Sequence, residues 1–344
     1  MKPGLVRCST VSMIEVVKTL LACSLLFGSL YAVADEQWDD LNEQMMMAYQ
    51  YGDSSSAIEI AEQLLVYSRE NLGENHTDTL TSINSLAYLY DEYGFYVKAE
   101  SLYWDALRKR RKILGEDHAD TIDSTNNLAN MYDKQGRYAE AEPLYKDVLV
   151  QLEKLYGKDH PDSATTLDRL ATLYVRQGRY KDAEPLYVSV LEQRQKVLEE
   201  SSPDVLLSLN NLAHLYDIQG RYNEAEPLYQ SVLTKSRQTL GEDHPYTITT
   251  LNNLAALYAH KGRYFEAEAL LTEALKKRRE VLGDNHPDTI MSENNLATLF
   301  LTQGRYAEAE PLYLSGLAQS RQTLGGEHAT TLRSEEHTSE LQSR

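Results

Sequence analysis

Between residues 72 and 323 the apolar positions fall into two alternating helical stripes. In residues 114–155, Leu128, Ala129 and Tyr132 stand at i, i+1 and i+4, one face of a helix. Ala141, Leu144, Tyr145, Val148 and Leu149 stand at i, i+3, i+4, i+7 and i+8, the apolar face of a second helix. Gly136 lies between them, where a left-handed backbone is expected to end the first helix. The pattern then returns with a spacing of 42 residues (94 to 136, 136 to 178), carried by Gly94, Gly136, Gly178, Gly220, Gly262 and Gly304. Alanines hold the same phase at Ala87, Ala129, Ala171, Ala213, Ala255 and Ala297, and again from Ala99 to Ala309. Complete units run 72–113, 114–155, 156–197, 198–239, 240–281 and 282–323.

One helix hairpin cannot cover both of its own apolar faces, so each unit is expected to close on the next. Alanine at the crossing lets two backbones approach, and Tyr and Leu fill the space beside it. Residues 35–71 keep the phase through Gly52, Ala57 and Leu65 and read as a degenerate N-terminal capping unit. Residues 324–332 open a seventh unit that is cut short. Residues 333–344 resemble the translation of a sequencing-library adapter, and the natural reading frame is expected to leave this sequence after Leu332. In the unit at 198, Glu199 and Ser202 replace the loop Gly and His, so a different local turn is expected there.

Leu251-x-x-Leu254-Ala255-x-x-Tyr258 followed by Ala267 resembles the tetratricopeptide signature, with Leu for Trp and Ala for Gly. Ala141-x-x-x-Tyr145 is similar to its second half, with Tyr for Phe. The usual unit has about 34 residues; here the second helix and its loop are longer and the closing Pro is absent. This form resembles the repeats of kinesin light chains. The resemblance covers about 37–332 and implies an all-α, right-handed superhelical solenoid of antiparallel helix pairs. It also implies that the first helices line a concave groove that holds a peptide or protein segment.

Charge and chemistry narrow the function. The formal charge is −18, which disfavours a nucleic-acid partner. Residues 1–34 carry Lys2, Arg7 and Lys18, an apolar run from Leu20, and Ala32-Val33-Ala34 before Asp35-Glu36. That is the pattern of a secretory signal peptide. The expected location is therefore periplasmic or secreted, with membrane attachment only if this segment stays uncleaved. Cys8 and Cys23, the only cysteines, both lie within it, so no disulfide or thiolate site is expected in the mature chain. The recurring His76, His118, His160, His244, His286 and His328 lie in successive units, on the order of 10 Å apart. Ligands of one metal lie about 2 Å from it, so capping is expected of these histidines and metal binding is not. No nucleotide loop, zinc-protease helix or nucleophile elbow is present. The expectation is a non-enzymatic chain with no small-molecule cofactor.

Asparagine is a poor interior helix former, yet Asn126-Asn127, Asn210-Asn211, Asn252-Asn253 and Asn294-Asn295 recur just before Leu-Ala in the first helices. A carboxamide donates and accepts, so it matches any peptide bond. Asn130, Asp133 and His214 lie on the same stripe and vary between units, and Arg169 replaces Asn in its unit. These residues are the candidate partner-binding set. The competing reading has the amides bonding between adjacent helices. Two functions follow: an exported scaffold binding a peptide or protein segment, or a sensor array whose C-terminal effector, such as a protease domain, lies beyond this sequence. The export reading has a direct check. N-terminal sequencing of the exported protein should begin at Asp35, and a soluble cytosolic product retaining 1–34 would overturn it.

Overall fold

The computed structural model describes residues 36–158, 160–323 and 335. The signal-type segment, both cysteines and residues 324–332 lie outside the described residues. Of 333–344 only Glu335 is described; it accepts from Arg321 Nε at 3.0 Å and Nη2 at 2.7 Å. Every described element is a helix: α1 (Glu36–Gln50), α2 (Ser54–Asn71), α3 (Thr77–Glu92), α4 (Tyr96–Leu114), α5 (Ala119–Lys134), α6 (Tyr138–Tyr156) and α7 (Pro161–Arg176). They continue with α8 (Tyr180–Val197), α9 (Pro203–Ile218), α10 (Tyr222–Thr239), α11 (Pro245–His260), α12 (Tyr264–Leu282), α13 (Pro287–Thr302) and α14 (Tyr306–Thr323). The chain divides into two compact units, Met1–Lys109 and Arg110–Arg344. In the first, α1 packs on α2 and α2 on α3. In the second, each helix from α5 to α14 packs on the next, and the first helices α9, α11 and α13 also touch in sequence.

The hairpin turn is set by backbone chemistry. Gly136 has φ +72° and donates to Asp133 O at 3.0 Å, while Arg137 N donates to Tyr132 O at 2.9 Å. That pair of bonds is a Schellman motif, which satisfies carbonyls left open at the helix end. The same bonds recur at Gly178/Arg179, Gly220/Arg221 and Gly304/Arg305. The other loop is closed by histidine. Nδ1 of His76, His118, His160, His244 and His286 accepts the backbone N–H two residues on, at 3.1–3.3 Å. These are N-caps, the role expected of them. Before α9, Ser202 makes no side-chain cap, and Ser202 N instead donates to Glu199 O at 2.9 Å; α9 still begins in register at Pro203. Pro143, Pro185, Pro227 and Pro311 lie just beyond the first turn of the second helices, and all four are exposed. Each removes one bond on the solvent side, where water replaces it.

The core follows the alanines. Ala213, Ala225, Ala255, Ala267, Ala297 and Ala309 are all fully buried, in one continuous cluster with Tyr229, Leu251, Leu275, Phe300 and Tyr313. Truncating a buried leucine here is worth about 2–5 kcal/mol. Three buried arginines recur with the repeat on the second helices. Arg110, Arg194 and Arg278 donate through Nη1 to the carbonyls of Asp120, Asp204 and Asp288 and to Oγ of Ser124, Ser208 and Ser292. Each ties a second helix to the N-terminal turn of the next first helix.

The histidine caps carry a pH dependence. Desolvation holds the pKa of His244 below the usual histidine value. The unfolded chain therefore takes up this proton first as pH falls. The cap's contribution is complete above the unfolded pKa and is lost as pH falls through the folded one. His244→Asn keeps a capping acceptor that does not titrate. Between pH 7.5 and 5.5 the wild-type melting temperature should fall more than that of the variant, by an amount worth at most ~1 kcal/mol; equal slopes in calorimetry would disprove it.

Candidate binding face

The amide pairs lie on facing sides of neighbouring first helices in the second unit. Asn126, Asn127, Asn210, Asn211, Asn253, Asn294 and Asn295 are half-buried and Asn252 is buried. Their first engagement is with one another. Asn253 Nδ2 donates to Asn210 Oδ1 at 3.0 Å and Asn295 Nδ2 to Asn252 Oδ1 at 3.4 Å. Asn211 Nδ2 donates to both oxygens of Asp168, at 3.0 and 3.2 Å. The second amide of one unit thus holds the first polar residue of the unit before it. Asn252 in turn donates to Ile248 O at 3.0 Å, which locks its oxygen toward Asn295. Oδ1 of Asn211, Asn253 and Asn295 accepts no hydrogen bond and is not among the buried atoms. The rung therefore uses a donor and leaves an oriented acceptor at the surface.

One turn further on, the variable residues meet the tyrosine ladder of the second helices. Tyr145 OH donates to Asn130 Oδ1 at 3.3 Å. Tyr187 OH pairs with Thr172 Oγ1 at 2.9 Å and Tyr313 OH with Thr298 Oγ1 at 2.7 Å. Where the tyrosine is replaced by Leu271, the facing position is Ala256, so hydroxyl and partner are lost together. His214 holds this position opposite the buried Tyr229 and stays exposed. Burial pushes the tyrosine pKa values well above normal. A last turn carries an ion pair and a histidine–carboxylate hydrogen bond. Arg176 Nη1 meets the buried Asp133 Oδ1 at 3.0 Å, and His260 Nδ1 meets Asp217 Oδ1 at 2.8 Å. Burial raises the pKa of Asp133, against the pull of Arg176.

Sequence reasoning missed a second polar device on the opposite side of the turn. Arg137, Arg179, Arg221, Arg263 and Arg305 follow the turn glycine, and each guanidinium lies 4.0–4.2 Å from the ring of Tyr132, Tyr174, Tyr216, Tyr258 or Phe300. Arg179, Arg221 and Arg263 also reach back to Glu142, Glu184 and Glu226 of the preceding second helix at 2.6–2.8 Å. The arginine thus serves as the side-chain contact of the Schellman turn and clamps the neighbouring unit. Its 42-residue recurrence beside glycine was the available signal. In the first unit the position holds Phe95, packed edge-on to Tyr90 at 5.8 Å, and Lys98 replaces the acid that follows.

The rungs make a measurable coupling. A double-mutant cycle on Asn210→Ala and Asn253→Ala should give an interaction energy of about 0.5–1.5 kcal/mol in urea denaturation. Strict additivity would mean the 3.0 Å contact carries no stability.

The geometry agrees with known relatives. The tetratricopeptide repeat model matches residues 92–149, 134–196, 162–234, 204–260 and 246–322. No curated protein matches the chain. The solved putative kinesin light chain of Podosopora anserina with nearly identical TPR-like repeats is 27% identical, with 60% of this chain covering 98% of that one at a TM-score of 0.53. BtubC (BKLC) from P. vanneervenii is also 27% identical, with 72% of this chain covering 94% of that one at 0.55. The apo form of RapI shares the fold at 14% identity, with coverage of 83% and 98% and a TM-score of 0.63. Helix pairs in constant register, alanine crossings and glycine turns together with these matches show that the chain belongs to the tetratricopeptide repeat family, in a kinesin light chain-like form.

Proposed function

We propose that this chain is an exported, non-catalytic scaffold whose first-helix face binds an extended segment of another protein. The observation that carries the reading is the row of Asn211, Asn253 and Asn295. Each is held by its own rung and each offers a free Oδ1. Successive helices are about 10 Å apart, and an extended chain in the polyproline II conformation rises about 3.1 Å per residue with three residues per turn. One acceptor therefore meets the N–H of every third residue, a match that needs no particular side chain. Selectivity then falls to the residues around the row, including Asp133, His214 and the Ala256 notch. Export rests on the segment 1–34. An array that reports its ligand to an attached effector would use the same face, so one binding test serves both forms.

The test separates binding from stacking. Asn210→Ala with Asn252→Ala breaks two rungs but keeps the outward oxygens of Asn253 and Asn295. Asn253→Ala with Asn295→Ala breaks the same two rungs and removes those oxygens. A randomised twelve-residue peptide library is selected against the wild-type chain, and the best peptide is titrated by fluorescence anisotropy. The second pair should lose roughly 1–3 kcal/mol more binding than the first. Equal losses would mean that the asparagines serve stacking alone.

A further inference from the structure

Of the four steps described within residues 110–344, one is open. At the step from α5 to α7, the acceptor is Asn126, and its Oδ1 is buried without a hydrogen-bond partner. The residue standing where the next units place their donor is Arg169. Among the described residues it makes no hydrogen bond and no ion pair, although it is half-buried. The three later steps are all closed.

A second departure coincides with the first. One turn before Asn126 lies Asp123, where the following units carry Thr165, Leu207, Thr249 and Met291. Its carboxylate likewise has no hydrogen bond or ion pair. Asp123 and Arg169 lie in each other's field without reaching contact distance, and burial pushes the pKa of Asp123 up to about 6. An acid and a base thus stand apart on neighbouring first helices, without a hydrogen bond or ion pair among the described residues, at a step where the neutral rung fails.

We propose that this step is the anchoring subsite of the binding face, where Arg169 and Asp123 take a single amide group of the ligand. The guanidinium donates to the amide C=O and the carboxylate accepts its N–H. The inference rests on the binding reading above and names its tightest point. Charge selects the chemistry. An anion at Arg169 would lie in the field of Asp123, Asp133 and Asp168, and a cation at Asp123 in that of Arg169 and Arg110. A neutral amide satisfies both charges, and hydrogen bonds to ionised groups are roughly twice as strong as neutral ones. The group is a main-chain peptide bond or an Asn or Gln carboxamide.

Arg169→Asn gives the cleanest test, because it closes the rung to Asn126 while deleting the subsite. In the full-length chain it should raise the melting temperature by about 2 °C and weaken the selected peptide roughly tenfold or more. Asp123→Asn should weaken the peptide similarly without closing the rung. N-methylation along the peptide identifies a main-chain amide, and Asn or Gln replacement identifies a carboxamide; either supports the subsite. If both variants bind as wild type while Asn253→Ala with Asn295→Ala does not, the subsite is wrong and the binding face stands. If affinity instead tracks an Asp, a Glu or the C-terminal carboxylate of the peptide, Arg169 is an anion site and the amide proposal falls. If no peptide is enriched, the binding face and the subsite fail together. A lower melting temperature for Arg169→Asn with unchanged affinity of Asp123→Asn would make Arg169 structural.

Discussion

The approach of one helix to the next at paired buried alanines is the contact on which the rest depends. Ala213 and Ala225 within one hairpin, and Ala255 and Ala267 in the next, are fully closed off from solvent. With only a methyl group at the crossing, the helices come close enough for polar side chains to span between them. Tyr187 can then reach Thr172 across a hairpin, and Asn253 can reach Asn210 across a unit boundary. A larger side chain at the crossing would lengthen both spans beyond hydrogen-bond range. The penalty would fall on groups already taken out of water, where an unmade hydrogen bond costs about 1–3 kcal/mol.

The polar groups divide their work by side. On the first-helix side, amide rungs and the Arg176–Asp133 pair join units through short contacts. On the turn side, Arg179, Arg221 and Arg263 stack on a tyrosine and hold an acid of the preceding unit. The turn-side ion pairs are partly exposed, so screening makes each worth little alone. Their repetition in register makes them an alignment device more than a source of energy. The first-helix side is the more consequential, because its groups are half-buried and its surface keeps oriented acceptors. A face whose groups satisfy one another needs little reorganisation to take a ligand, and binding loses less entropy for that reason.

A structural role and the proposed binding role do not exclude each other at these asparagines. One amide can donate to its neighbour and still accept from a ligand, because it has separate atoms for the two tasks. The competing sequence readings are therefore compatible at Asn211, Asn253 and Asn295. Asn210 and Asn252 differ, since their oxygens are used within the array. Asn130 and Asp133 are likewise engaged by Tyr145 and Arg176. Variation along that stripe follows the partner inside the protein, as the joint change at Ala256 and Leu271 illustrates.

The helix pairs, their turns and their order were legible in the amino-acid sequence, because local signals repeat without insertion. Glycine ends the first helix, histidine or serine precedes the next, and alanine marks each crossing. These depend on backbone conformation and on apolar period, both of which act over a few residues. The histidine role was readable for the same reason: a cap needs only its own next two residues. Which atom of each asparagine is free was not readable. Neither was the open step at Asn126 and Arg169, nor the arginine clamp across units. Those depend on side chains some 37 to 43 residues apart meeting at hydrogen-bond distance, and only the stacking of helix on helix sets that distance.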